Sequence, residues 1–328
     1  MTDSLSRINV IKDRVFAGLR VAWQEGLFLI GLEKDKEIEF LCQAADEIRK
    51  HFSSDKADLC SLINAKSGCC SEDCAFCSQS ARYGTEARSY PLVSEDEIVN
   101  AANRAYENGA HRFCVVTSGR SPDDNEFDSI LSALRRIRKT NDIALDCSLG
   151  FLRDERMSAL KQAGASRVNH NLETSADYYP SIVTTHSYED RVSTVKRLKQ
   201  AGFEVCSGGI LGMGESREDR LKLAFKLREL EVNCVPLNIL NPRKGTPLES
   251  QLKLSCNEIV KTIACFRFII PSATIKLAGG REVNLGPDQE RALRSGANGV
   301  IIGGYLTTAG SPVEEDLALI KRAGFSLS

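Results

Sequence analysis

From Ala57 onward the chain repeats one rhythm eight times: a short apolar run, a turn, and a helical stretch with apolar residues on one face. The apolar runs fall at 58–64, 111–117, 143–149, 166–172, 203–211, 234–240, 273–278 and 298–303. Strands that alternate with helices in this way run parallel, and eight such units close into a TIM-type (β/α)8 barrel, an α/β fold. The punctuation agrees. Ser94-x-x-Glu97 and Ser216-x-x-Asp219 begin helices, and Ser311-Pro312 opens the last one. Gly109, Gly164 and Gly202 end helices just ahead of a strand. Before the rhythm begins, Ile38, Phe40, Leu41, Ala44 and Ile48 recur at helical spacing. The expected division is an N-terminal helical extension at 1–55 and a barrel at 56–328. A length of 328 residues suits a barrel of about 250 residues plus an extension.

A parallel barrel carries its chemistry at the mouth formed by the C-terminal ends of its strands. Directly after the first run stands Cys70-Ser71-Glu72-Asp73-Cys74-Ala75-Phe76-Cys77, three thiols on the first βα loop with an aromatic residue before the last. Three thiols can hold three corners of a [4Fe-4S] cluster and leave the fourth iron open. A structural zinc site would want a fourth ligand at a finger-like distance, and His51, His111, His170 and His186 do not supply one. Five further thiols lie on strand runs: Cys60, Cys114, Cys147, Cys206 and Cys234. A single buried cysteine is ordinarily a small hydrophobe. Five on five strands of one barrel, if they point inward, converge on one volume that could hold a second iron–sulfur cluster. Cys42, Cys256 and Cys265 fall on helical patterns and read as core residues, while the place of Cys69 is undecided.

Charge and hydropathy narrow the function classes. With 43 basic and 44 acidic residues nothing marks a nucleic-acid surface or a polybasic membrane anchor. No apolar run approaches the roughly 20 residues of a membrane span, and Met1-Thr2-Asp3-Ser4 does not begin a secretory pattern. A cytoplasmic chain is expected, in which twelve cysteines are core residues, metal ligands or catalytic groups.

The three-cysteine motif resembles that of the radical S-adenosylmethionine (SAM) enzymes, in which the open iron chelates the amino and carboxylate groups of SAM. Further runs make the resemblance closer. Arg112-Phe113-Cys114, Asn169-His170-Asn171-Leu172-Glu173, Val205-Cys206-Ser207-Gly208-Gly209, Val235-Pro236-Leu237-Asn238 and Lys244-Gly245-Thr246-Pro247-Leu248 are similar to the biotin synthase family, in order and spacing. So are Thr184-Thr185, Arg191 and Ala278-Gly279-Gly280-Arg281-Glu282. That resemblance implies sulfur insertion into dethiobiotin, driven by a 5′-deoxyadenosyl radical from SAM. It also implies a reduced donor such as flavodoxin or ferredoxin, and a homodimer. It gives the SAM ribose to Glu173, the SAM carboxylate to Arg191, and the ureido ring of dethiobiotin to Asn171 and Asn238.

The familiar members of that family hold an auxiliary [2Fe-2S] cluster on three cysteines and an arginine. By resemblance the cysteines are Cys114, Cys147 and Cys206, while the arginine position carries Lys276. Lysine is a poor iron ligand, because its ammonium must first lose a proton. Cys60 and Cys234 stand where the familiar form has serine. These departures favour a four-iron auxiliary cluster with an extra sulfide, as in the variant enzymes of anaerobes, with Lys276 not a ligand and one of the five thiols a possible bystander. His170 reads as a core histidine. Two rivals stay open: a hydrogenase-maturation or methylornithine-synthase type of enzyme with the same barrel, and a non-catalytic iron–sulfur protein.

Overall fold

The computed structural model describes residues 3–308 and 310–327. Three helices come first: α1 (Asp3–Phe16), α2 (Trp23–Ile30) and α3 (Asp35–Phe52). Then strands and helices alternate as β1 (Asp58–Lys66), α4 (Glu95–Glu107), β2 (Arg112–Thr117), α5 (Asp124–Thr140), β3 (Ala144–Ser148), α6 (Asp154–Gln162) and β4 (Ala165–Asn169). The second half continues with α7 (Tyr188–Gln200), β5 (Glu204–Cys206), β6 (Gly209–Leu211), α8 (Arg217–Glu229), β7 (Cys234–Ile239), α9 (Cys256–Ile269) and β8 (Thr274–Leu277). Two short helices, α10 (Arg281–Leu285) and α11 (Gln289–Leu293), precede β9 (Gly299–Ile301) and α12 (Val313–Arg322).

All strand pairings are parallel, in the order β5-β4-β3-β2-β1-β9-β8-β7-β6, and β5 also pairs with β7 through Cys206 and Cys234. That last pairing closes the sheet. Nine strands make eight staves, because β5 and β6 are one stave broken at Ser207-Gly208. At Gly208 a Cβ would come 2.0 Å from the carbonyl oxygen of Pro236. A glycine is required there for the backbones to meet. The Gly208 carbonyl also accepts from the amides of Leu172 and Glu173, each at 3.0 Å, so the break ties the fourth stave to the fifth.

Side chains alternate across each stave, which separates two cores. On β2, Phe113 and Val115 face the helices, while Cys114 and Val116 join Cys60, Leu62 and Leu306 in a small apolar cluster inside the barrel. The helices begin where their caps place them: Ser94 accepts from the Glu97 amide and Glu97 reaches back to the Ser94 amide, and Ser216 and Asp219 do the same. α1 packs on α3, α3 and α2 pack on α9, and α2 also touches α8. The buried Lys261 of α9 fastens this face, donating to the Leu32 carbonyl (2.8 Å) and to Glu258 (2.6 Å).

Candidate active site

The mouth of the barrel opens into a cavity of ≈ 450 Å³ that reaches down among the staves. Cys70, Cys74 and Cys77 border its rim, and Cys60, Cys114, Cys206 and Lys276 border its depths. Seven residues that the sequence marked for iron therefore meet around one space, or close beneath it in the case of Cys234.

The rim loop is held by acids inside the motif itself. Asp73 accepts from the amides of Thr184 (3.0 Å) and Thr185 (3.2 Å) and from the Thr185 hydroxyl (3.0 Å). Glu72 accepts from Thr185 at 2.6 Å, lies 2.6 Å from Nδ1 of His186, and meets Arg120 at 3.5 Å. The segment after β4 thus clamps the loop after β1. Burial pushes the Cys74 thiol up to about 12 and the Cys77 thiol to about 11. Opposing this at Cys77, the backbone amides of Gln79 and Ser80 hydrogen-bond the sulfur, as suits a thiolate ligand. Among the described residues no disulfide forms, and no three His, Cys, Asp or Glu come close enough to hold one bare ion. A cubic cluster presents a different iron to each thiol, so its ligands need not crowd one point.

Deeper in, four staves contribute thiols. Cys60 comes from β1, Cys114 from β2, Cys206 from β5 and Cys234 from β7, each at most 4 % exposed. Cys206 and Cys234 share a hydrogen bond, which together with burial drives the Cys206 thiol well up. Burial takes Cys60 to about 12, against the pull of Lys276. Asn169 donates to the Cys114 sulfur at 3.4 Å. Soft sulfur donors on four staves fit an iron–sulfur cluster better than any hard cation.

The fifth thiol is not with them. Cys147 lies on the outer face of β3, packed in the core between sheet and helices with Leu145 and Leu149. The inward residues of β3 are Asp146 and Ser148, which border the cavity. The expectation that Cys147 faces a cluster is corrected by alternation along the strand: Leu145, Cys147 and Leu149 share one face, and polar Asp146 and Ser148 the other. That pattern was readable in the sequence. Cys42 and Cys265 are buried on helices, and exposed Cys69 (φ 52°) lies beside Ser89 at 3.2 Å.

Asn169, Asn171 and Glu173 all line the cavity, as their spacing suggests. Glu173 sits past the end of β4 at φ 69°, and its buried Oε2 has no hydrogen-bond partner. Burial lifts its carboxyl above the usual range although Arg191, 3.6 Å away, pulls it down. Arg191 is fixed by the Asn171 carbonyl (2.8 Å) and the Tyr179 hydroxyl (2.5 Å). The Asn171 side-chain oxygen accepts from the Gly208 amide at 3.1 Å. Asn238 accepts from the Gly279 amide at 3.0 Å and donates to the Gly209 carbonyl at 3.4 Å. His170, expected to point away into the core, is buried but also borders the cavity, edge-on to Phe151 at 5.0 Å. Tyr305, Leu306, Thr307 and Thr308 close the side opposite β4. Nothing in the local sequence marked that segment. It is held by the fully buried Arg281, which donates to Tyr305 at 2.8 Å and pairs with Asp316 at 2.6 Å.

Comparison with known proteins decides the family. The model described as "Radical SAM superfamily" matches residues 65–227, and the "Biotin and Thiamin Synthesis associated domain" matches 236–326. Biotin synthase of Gloeothece citriformis is 48 % identical over 97 % of this chain and 90 % of its own length. That of Acetivibrio thermocellus is 45 % identical over 98 % of this chain and 99 % of its own. The chain belongs to the biotin synthase family of radical SAM enzymes. Among solved structures, methylornithine synthase superposes with a TM-score of 0.84 over 96 % of both chains, at 20 % identity. A hydrogenase maturase from Carboxydothermus hydrogenoformans gives 0.83 over 98 % of this chain and 79 % of its own, at 17 %. At such identities these likenesses establish the barrel alone. The rival readings drawn from those enzymes and from a non-catalytic carrier yield to the biotin synthase family.

Proposed function

We propose that this cavity converts dethiobiotin to biotin, with two iron–sulfur clusters stacked along the barrel axis. The carrying observation is the convergence of three rim thiols and four stave thiols on one space. In this reading Cys70, Cys74 and Cys77 hold a [4Fe-4S] cluster, and Cys60, Cys114, Cys206 and Cys234 surround an auxiliary cluster of four irons with an extra sulfide. When bound, the first cluster supplies the electron that splits SAM, and the second supplies sulfur.

The chain's own residues bind and orient. Glu173, which lines the cavity and has a buried oxygen without a hydrogen-bond partner, receives the SAM ribose, and Arg191 beside it meets the SAM carboxylate. Asn171 and Asn238 present amides to the ureido ring, braced by the backbone bonds that fix their rotamers. Lys276 is engaged by Asp58 at 2.7 Å and stays charged, which removes it as an iron ligand. A low-potential donor such as flavodoxin or ferredoxin, a homodimer, a cytoplasmic setting and a helical extension at 1–55 complete the proposal. Among the described residues no helix is long and apolar enough to cross a membrane.

Anaerobic reconstitution followed by iron and sulfide counting, Mössbauer spectroscopy and product analysis tests it. About eight irons and biotin formed with 5′-deoxyadenosine support it. About six irons with a two-iron spectrum would remove the four-iron auxiliary cluster, and SAM cleavage without biotin would remove the function.

A further inference from the structure

One inward step below the thiols, the barrel carries a layer of charge. Asp58 precedes Cys60 by two positions, Arg112 precedes Cys114, Arg167 precedes Asn169 and Glu204 precedes Cys206. Two-residue spacing puts each charged side chain on the same inner face as its thiol or amide. Lys276 pairs with Asp58 at 2.7 Å, Asp58 with Arg167 at 3.5 Å, and Arg167 with Asp146 at 3.9 Å. Asp146 pairs with Arg112 at 2.9 Å, and Glu204 joins Arg112 (3.4 Å) and Arg167 (2.9 Å). Three cations and three acids thus form one connected network. Lys276, Arg167 and Asp146 are 3 %, 6 % and 2 % exposed at the side chain, so half of it is buried, while Glu204 at 47 % reaches solvent.

For stability alone such a network is hard to justify. Buried ion pairs recover their desolvation cost poorly, and apolar residues of similar size often do as well or better. Its position gives it another use. Thiolates around an iron–sulfur core make a net anion, and Lys276 lines the same cavity as Cys60, Cys114 and Cys206; its charge and that of Arg167 pull the thiols of Cys206 and Cys234 down. In low dielectric, a neighbouring cation changes the balance between two redox states strongly.

We propose that Lys276, positioned by Asp58, is the counter-charge that sets the reduction potential of the auxiliary cluster, and that the acids beneath hold this cation in place and moderate it. The inference rests on the auxiliary-cluster reading above. Lys276 and Asp58 are positioning residues: neither touches the substrate in this account.

Two variants of opposite sign test it. In Lys276→Gln the cluster loses its cation, so its reduced form is disfavoured and the potential falls. In Asp58→Asn the cation loses its acid partner, and the potential rises. A tenfold change in the ratio of reduced to oxidised cluster at fixed poise is about 59 mV for one electron, and about that size is expected for each. The measurement is an anaerobic redox titration of the reconstituted full-length protein, followed by electron paramagnetic resonance, with iron counted in parallel. Opposite shifts with iron retained support the proposal. Shifts of one sign, or none, would show that the network is only structural. Loss of auxiliary iron in Lys276→Gln would make Lys276 a ligand and overturn it. A wild-type protein without any second cluster signal would instead defeat the underlying reading, and the inference with it.

Discussion

Replacing Cys147 by alanine should leave both clusters intact. Cys147 is fully buried, 0 % exposed, and packs among Leu145 and Leu149 on the helix side of β3. The change removes one heavy atom from a close-packed core, comparable to deleting a methyl group, at a cost of about 1 kcal/mol. In a chain of this size that lowers Tm by no more than about 3 °C. Cys206→Ala is the matched control: it removes a thiol of equal burial on the inner face, and auxiliary iron should fall from about four atoms to few or none. The assay pairs iron and sulfide counts with a thermal melt and with biotin yield, all under anaerobic conditions. Cys147→Ala should match wild type in iron and yield, while Cys206→Ala keeps SAM cleavage and loses biotin. Loss of auxiliary iron from Cys147→Ala would mean that β3 presents its other face, and would refute the account of the inner wall.

Three further outcomes are expected. Cys70→Ala, Cys74→Ala and Cys77→Ala should each abolish SAM cleavage with the far-ultraviolet circular dichroism unchanged, because the motif lies on a loop clamped from outside the core; cleavage retained in any one removes that residue from the cluster. Asn171→Ala and Asn238→Ala should weaken dethiobiotin binding by about five- to 150-fold, the cost of about 1–3 kcal/mol for an unpaired buried group, and calorimetry showing unchanged affinity in both would place the substrate elsewhere. Glu258 should make the protein acid-sensitive: burial works to raise its carboxyl, but Arg217 and Lys261 outweigh that and hold it below its usual value. Its contribution is complete above the unfolded value near 4.5 and is lost as pH falls through the lower folded value, since the unfolded chain binds the proton first. Glu258→Gln leaves Lys261 buried and uncompensated, so urea unfolding should show a loss of about 3 kcal/mol at neutral pH and a flatter slope in acid; the wild-type slope retained would assign acid sensitivity to other groups.

The barrel was legible because its evidence is local and repeated. Seven of the eight apolar runs became single strands within a few residues, and Ser94 and Ser216 cap their helices with Glu97 and Asp219 as their spacing suggests. The rim motif was legible because its spacing is its chemistry. The inner wall was less so. Assigning Cys147 by resemblance overlooked that Asp146 and Ser148 are the alternate polar residues of β3. The clamp of Glu72 by His186 joins residues 114 positions apart, and no local pattern announces it. The break at Ser207-Gly208 was hidden because a continuous run, 203–211, contains it, and only the approach of Pro236 reveals why the strand stops. The closing segment at Tyr305–Thr308 depends on Arg281, whose partners come from three other stretches of chain.

The central claim is that sulfur leaves the cluster inside this barrel and enters dethiobiotin. Protein reconstituted with ³⁴S-sulfide, freed of unbound sulfide, and given SAM, dethiobiotin and reductant should yield biotin whose mass carries the heavy isotope, in amounts bounded by the auxiliary clusters present. Biotin without the label, or labelled biotin made equally well by Cys206→Ala, would contradict it.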